Sequence, residues 1–127
     1  MTLYQPQLIL LKNNQGDYIL HSTTYCTEVN ILTNGANILG DLSEQNVLQV
    51  ELEAIEDQSL SADVNAVTPV VHTVNLGNPF GENGIEAVNG SIEATFYITD
   101  SITGIRRPGG KNIIKNPSTS SDTRPGM

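Results

Sequence analysis

The sequence predicts an all-β domain, built as an antiparallel β-sandwich or small barrel. Short stretches rich in Val, Ile, Thr and Tyr alternate apolar and polar side chains, and turns of Gly, Asn and Pro separate them. No helix-length segments follow the strands in the rhythm of an α/β fold. The 127 residues suffice for one domain with a core. We assign residues 1–103 to this domain and residues 104–127 to an extended C-terminal arm.

Strands are predicted from the start of the chain. Residues 3–12 form the first, with Pro6 near its beginning or on a sheet edge, because proline cannot donate to a central ladder. Residues 18–33 exceed the length of an ordinary strand, which predicts a bend at residues 22–24. Asn34-Gly35 is the dipeptide typical of a hairpin turn, so a return strand should follow it.

Residues 41–57 fit two structures. Asp41 and Glu44 have the spacing of a helix-capping box, which leaves one short helix open. The competing pattern is a seven-residue alternation, and it slightly favours a strand. The inward positions of that strand would be Leu48, Val50, Leu52 and Ala54.

The second half continues the β pattern. Residues 62–76 predict a strand that is split or lies on an edge at Pro69, and residues 77–84 predict a loop. Asn89-Gly90 predicts a hairpin with a type I′ turn. The strand after it should place one apolar face on the core, formed by Ile92, Ala94, Phe96 and Ile98.

Charge is distributed unevenly. Residues 1–100 hold thirteen acidic residues and one basic residue, a net charge of −12. Residues 101–127 hold five basic residues and one acidic residue, a net charge of +4. Asymmetry of this kind indicates partners rather than fold, so we expect the basic arm to dock on the acidic body of a neighbouring copy. The predicted docking residues are Arg106, Arg107, Lys111, Ile113, Ile114, Lys115 and Arg124, and the receiving face is Glu51, Glu53 and Glu93.

No pattern predicts an enzyme. Cys26 and His72 could form a thiol–imidazole pair, but Cys26 sits mid-strand among uncharged neighbours, which predicts a buried, inert thiol. Glu86 and Glu93 could face each other across the predicted hairpin as glycosidase carboxylates, yet six aromatic residues are few for a sugar cleft.

Metal ions and cofactors are not predicted either. One Cys and two His residues, none closely paired, do not make a zinc site. Asn78, Glu82 and Asn83 resemble solvated turn residues more than calcium ligands. The acidic body disfavours direct binding to nucleic acid or membranes.

Small β-sandwiches with extended arms resemble the minor structural proteins of phage and virus particles, namely decoration, tail-tube and neck proteins. That likeness of architecture and composition implies a homo-oligomeric, non-enzymatic assembly protein that binds copies of itself and other structural proteins. The N-terminus lacks the charged start of a signal peptide, so we expect synthesis in the cytoplasm and a final place in an assembled particle. Two alternatives stay open: a monomeric module that binds a ligand or host protein through residues 34–40 and 77–84, and an acidic decoy that mimics nucleic acid.

Overall fold

A computed structural model describes residues 4–27, 30–40, 42–58 and 68–115. In this part of the chain seven strands and one short helix follow one another. They are β1 (Gln7–Lys12), β2 (Tyr18–Cys26), β3 (Ile31–Leu39), β4 (Val47–Glu56), β5 (Thr68–Gly77), α1 (Gly84–Ala87), β6 (Ser91–Asp100) and β7 (Arg106–Ile114).

The strands form two sheets, which confirms the all-β prediction. One sheet has three strands in the order β1-β2-β5, and the other has four in the order β3-β4-β6-β7. All pairs are antiparallel except β4 and β6, which run parallel because the chain crosses through β5 in the other sheet before it returns. At the sides of this sandwich-like fold β3 lies next to β5, and β1 lies next to β7.

The core fills the space between the sheets. Inward positions alternate with outward ones along β4 and β6, as the sequence predicts, so residues 47–56 are a strand and the helix alternative is wrong. Ser43 lies in the turn before β4 rather than at a helix start. Its Oγ accepts hydrogen bonds from the backbone N–H groups of Gln45 and Val47. The fully buried side chains include Leu10, Leu20, Leu52, Ile92, Phe96 and Ile98.

Both Asn-Gly hairpin predictions are wrong. Asn34 and Gly35 lie inside β3, where the register with β4 shifts and the extra residue forms a bulge. Residues before Asn89 form α1, and Asn89 adopts a positive φ of 53° at its end rather than a hairpin turn. The bend expected at residues 22–24 is also wrong, since β2 is continuous there.

Residues expected to form an arm take part in the sheet. The boundary placed between residues 103 and 104 falls in the turn that joins β6 to β7. The two strands pair along their length, with Arg106 opposite Thr99 at one end and Ile114 opposite Ile92 at the other. Backbone N–H of Tyr4 donates to the carbonyl of Gly109 at 2.6 Å, which ties the N-terminal segment across β7. The edge positions of Pro6 and Pro69 are confirmed, because β1 and β5 are both outer strands.

Candidate interaction surfaces

The outer face of the four-stranded sheet carries a ladder of ion pairs. Arg106 Nη2 lies 2.9 Å from Glu51 Oε1 and 2.7 Å from Glu53 Oε2. A third pair on this face joins Lys111 to Glu93 at 3.8 Å. Arg107 and Glu56 also pair, at 3.4 Å, but they lie opposite the buried Ile98 and Ile31 and therefore on the inner side of the sheet. We call the outer set the ion-pair ladder: Glu51, Glu53, Glu93, Arg106 and Lys111.

Strand geometry explains the ladder. Glu51 and Glu53 are two residues apart on β4, so both point to the same outer face and one guanidinium can bridge them. The guanidinium also stacks on Tyr97, with 3.5 Å between its carbon and the ring centre. Hydrogen bonds to Glu51 and then Glu53 raise the pKa of Arg106 above its usual value.

Every predicted docking pair that the structure describes lies within one chain. Glu51, Glu53 and Glu93 face basic groups of β7 from the same chain, so the charge complementarity seen in the sequence is used inside the fold. Ile114 packs against the core, whereas Ile113 and Lys115 are more exposed. Arg124 lies outside the described residues. Docking of the arm on a neighbouring copy stays a prediction.

A depression of about 280 Å³ opens beside the ladder. Its lining residues are Leu39, Gln49, Val50, Glu51, Glu93, Thr95, Tyr97 and Lys111. Both carboxylates already have partners, because Arg106 binds Glu51, while Lys111 and the Gln49 amide bind Glu93. The depression is therefore a gap between paired side chains rather than a cluster of groups awaiting a ligand.

The outer face of the three-stranded sheet differs from the ion-pair ladder in its lack of charged side chains. Its eleven outward positions contain no Asp, Glu, Lys or Arg. Three apolar side chains on it, Ile9, Tyr25 and Val71, each expose about half of their surface (49, 51 and 49%). We call this surface the uncharged face: Gln7, Ile9, Leu11, Ile19, His21, Thr23, Tyr25, Pro69, Val71, Thr73 and Asn75.

Sequence reasoning missed the uncharged face, although a signal for it was present. Residues 8–11 of β1 are four apolar residues in a row, and residues 69–71 of β5 are also apolar. A continuous apolar run is typical of a strand that is covered on both faces, whereas a one-sided strand alternates. In the described structure only one face of these strands is covered.

The candidate catalytic groups do not come together. Cys26 is buried opposite Thr68, and His72 is buried opposite Ser22, four residues further along the same strand pair. That offset is about 13 Å at ~3.3 Å per residue, too far for a thiol–imidazole pair. His72 Nε2 donates instead to the Glu53 carbonyl at 2.8 Å. Glu86 is on α1 and does not face Glu93 across a hairpin.

Other candidate sites are also dispersed. In the described ranges no three His, Cys, Asp or Glu side chains are grouped to hold a metal ion. The segment at residues 34–40, expected as a binding loop, is mostly strand β3. None of the helices in these ranges is long and apolar enough to span a membrane. Comparison with protein-family models, with curated proteins and with solved structures gives no match.

Proposed function

We propose that this chain is a non-enzymatic assembly protein whose uncharged face packs against a second copy. We further propose its setting as a minor structural component of a phage or virus particle, of the decoration, tail-tube or neck type. The setting is supported only by the resemblance in architecture and composition given above. Separation of Cys26 from His72 supports the non-enzymatic part of the proposal.

The observation that carries the proposal is the uncharged face itself. A chain with a net charge of −8 leaves eleven neighbouring positions without a formal charge and exposes Ile9, Leu11, Tyr25 and Val71 there. These side chains form two groups, Ile9 with Leu11 on β1 and Tyr25 with Val71 across β2 and β5, and exposed apolar groups on an uncharged face favour a contact site. A second molecule that covers the outer side of β1 and β5 would explain why these strands carry apolar residues on both sides.

Charge favours another copy as the partner. Two molecules of net charge −8 repel each other, and the repulsion is smallest where the facing surfaces carry no charge. Three strands about 4.8 Å apart over about seven residues give a face of roughly 300 Å² in projection. Each partner of a stable pair buries about 800 Å². A single contact is therefore weak, and repetition in an assembly would strengthen it.

The docking-arm form of this function has a specific requirement. Arg106 and Lys111 would have to leave Glu51, Glu53 and Glu93 of their own chain and bind the same groups of a neighbour. Such an exchange gains no new ion pair. The uncharged face therefore supports self-association more strongly than the docking arm does.

The test is the mass of the full chain in solution. We expect light scattering to show a mass that rises above 13.7 kDa as the protein concentration increases. The variant Val71→Glu places a charge within the face on both copies, so its self-association should weaken by about tenfold or more. The matched control is Ile102→Glu, at a more exposed apolar residue (78%) in the turn after β6.

Circular dichroism should show that both variants remain folded. A wild-type chain that stays at the monomer mass at all concentrations would overturn the proposal. Equal association of Val71→Glu and wild type would also overturn it, because the contact would then lie elsewhere.

A further inference from the structure

We infer that β3 is a second interaction surface, through which two copies pair edge to edge and join their four-stranded sheets into one sheet of eight strands. Among the described residues β3 forms ladder hydrogen bonds with β4 alone, and β5 of the other sheet lies beside it without pairing. This inference deepens the proposed function by naming a partner and a register. It concerns a different sheet from the uncharged face, so each contact can fail separately.

β3 is the least protected of the four outer strands. Natural sheets guard their edges with proline, charged side chains or short strands. β1 is short and follows Pro6, β5 contains Pro69, and β7 contains Pro108 with three basic residues. β3 spans nine residues, Ile-Leu-Thr-Asn-Gly-Ala-Asn-Ile-Leu, without a proline or a charge. In the described part of the chain its protective features are the bulge at Asn34-Gly35 and the neighbouring β5, which lies beside it without pairing.

Exposed apolar side chains lie along this strand. Leu32, Ile38 and Leu39 expose 44, 41 and 42% of their surfaces. Leu32 lies opposite Ile55 of β4, and Leu39 lies opposite Gln49, which places both on the outer side of the sheet. Thr33 and Ile38 lie opposite the buried Ala54 and Val50, which places both on the inner side.

The order of residues in β3 suits antiparallel pairing with itself. A two-fold axis at Ala36, a small residue, brings Leu32 of one copy opposite Leu39 of the other and Thr33 opposite Ile38. Both members of each pair then point to the same side, as a continuous sheet requires. The two bulge residues Asn34-Gly35 lie opposite Asn37, so the extra residue is accommodated.

The absence of charge on β3 favours a second copy as its partner. An edge without charges lets two molecules of net charge −8 approach with the least repulsion. A chain with one self-pairing surface forms a closed dimer, whereas a chain with two different ones forms an extended series. β3 and the uncharged face lie on different sheets, so both contacts can form at once.

A charge-swap experiment on the full chain tests the register. Leu32→Glu alone and Leu39→Lys alone should each weaken association by about tenfold, since each introduces a buried, unpaired charge twice per contact. The double variant should recover most of the wild-type association, because Glu at position 32 then faces Lys at position 39 of the other copy. Within one chain the two positions are seven residues, about 23 Å, apart and cannot pair.

Light scattering gives the association, and circular dichroism shows that each variant is folded. Single variants that associate like the wild type would overturn the inference while leaving the uncharged face untouched. A double variant no better than either single variant would overturn the register. Loss of association in Val71→Glu with no effect at positions 32 and 39 would support the proposed function and reject the pairing of β3.

Discussion

The guanidinium carbon of Arg106 lies 3.5 Å from the centre of the Tyr97 ring, while its Nη2 bridges Glu51 and Glu53. These contacts join β7, β6 and β4, the three strands that form one side of the four-stranded sheet. A single side chain thus ties β7 to the preceding strand β6 and to Glu53 of β4, 53 residues earlier in the chain. The basic end of the sequence is consequently part of the fold as far as Ile114.

Arg106→Ala should lower the free energy of unfolding by about 1–2 kcal/mol, because it removes one stacking contact and two partly exposed ion pairs. Lys111→Ala is the control and should cost less than about 0.5 kcal/mol, since its single pair is long and its side chain is 67% exposed. Urea unfolding at low and high salt measures both. Equal losses for the two variants would contradict the role given to Arg106.

Gly110→Ala should destabilise the protein by about 1–3 kcal/mol, because an added Cβ would overlap the carbonyl group of Tyr4. The overlap lies where the N-terminal segment crosses β7. Gly35→Ala is the matched control, since nothing lies within 4 Å of a Cβ there and its φ is not positive. Thermal unfolding at low protein concentration compares them. An unchanged thermal stability in Gly110→Ala would contradict the close contact between the Tyr4 carbonyl group and Gly110.

Two buried hydroxyl groups should respond differently to removal. Tyr18 Oη accepts a hydrogen bond from the buried N–H of Ile85 at 3.0 Å, so Tyr18→Phe should cost about 1–3 kcal/mol. Thr24 Oγ1 is buried and has no hydrogen-bond partner among the described residues, so Thr24→Val should leave stability unchanged or raise it by up to about 1 kcal/mol. Urea unfolding measures both values. A large loss in Thr24→Val would show that its hydroxyl has a partner such as an internal water.

Asp100 should make stability depend on pH in the acid range. Backbone N–H groups of Thr103 and Ile102 donate to its carboxylate and lower its pKa below the usual value. A lowered pKa in the folded state means that the stabilisation is present above the unfolded-state pKa and is lost as pH falls through the folded-state pKa. The Asp100→Asn variant should therefore lose less stability than the wild type between about pH 5 and about pH 2.

The control for this pH dependence is Glu82→Gln, an equivalent change at an exposed carboxylate in the loop before α1. Its acid unfolding curve should follow that of the wild type. Identical slopes for Asp100→Asn and the wild type would show that the turn after β6 does not rely on the charge of Asp100.

Local patterns predicted the strands better than their connections. Alternation along β6 was sufficient to find that strand, and alternation along β4 slightly favoured a strand over a helix, because each strand has one buried face. Their parallel pairing could not be predicted, since the partners are joined only through β5 in the other sheet. The Asn-Gly pairs misled because neither forms a hairpin turn: Asn34-Gly35 forms a bulge inside β3 without a positive φ, whereas Asn89 adopts a positive φ after α1.

β7 was missed for a related reason. Pro108, Gly109 and Gly110 have poor strand propensity, and the strand forms because the two glycines allow close contact with Phe96 and Tyr4. Charge complementarity between residues 106–111 and the acidic strands was visible in the sequence, but sequence alone does not tell a contact within one chain from a contact between two. Glu51, Glu53 and Glu93 pair with basic groups of their own chain, and docking of a neighbouring copy on them stays a prediction.

The most direct test of the central claim is the salt dependence of self-association, measured as the mass of the full chain by light scattering. Contact through uncharged surfaces of a −8 protein predicts that added salt, which screens the repulsion between copies, strengthens association. A monomer at every salt concentration would contradict the claim. Association that salt abolishes would contradict it as well, because it would place attraction between opposite charges at the contact.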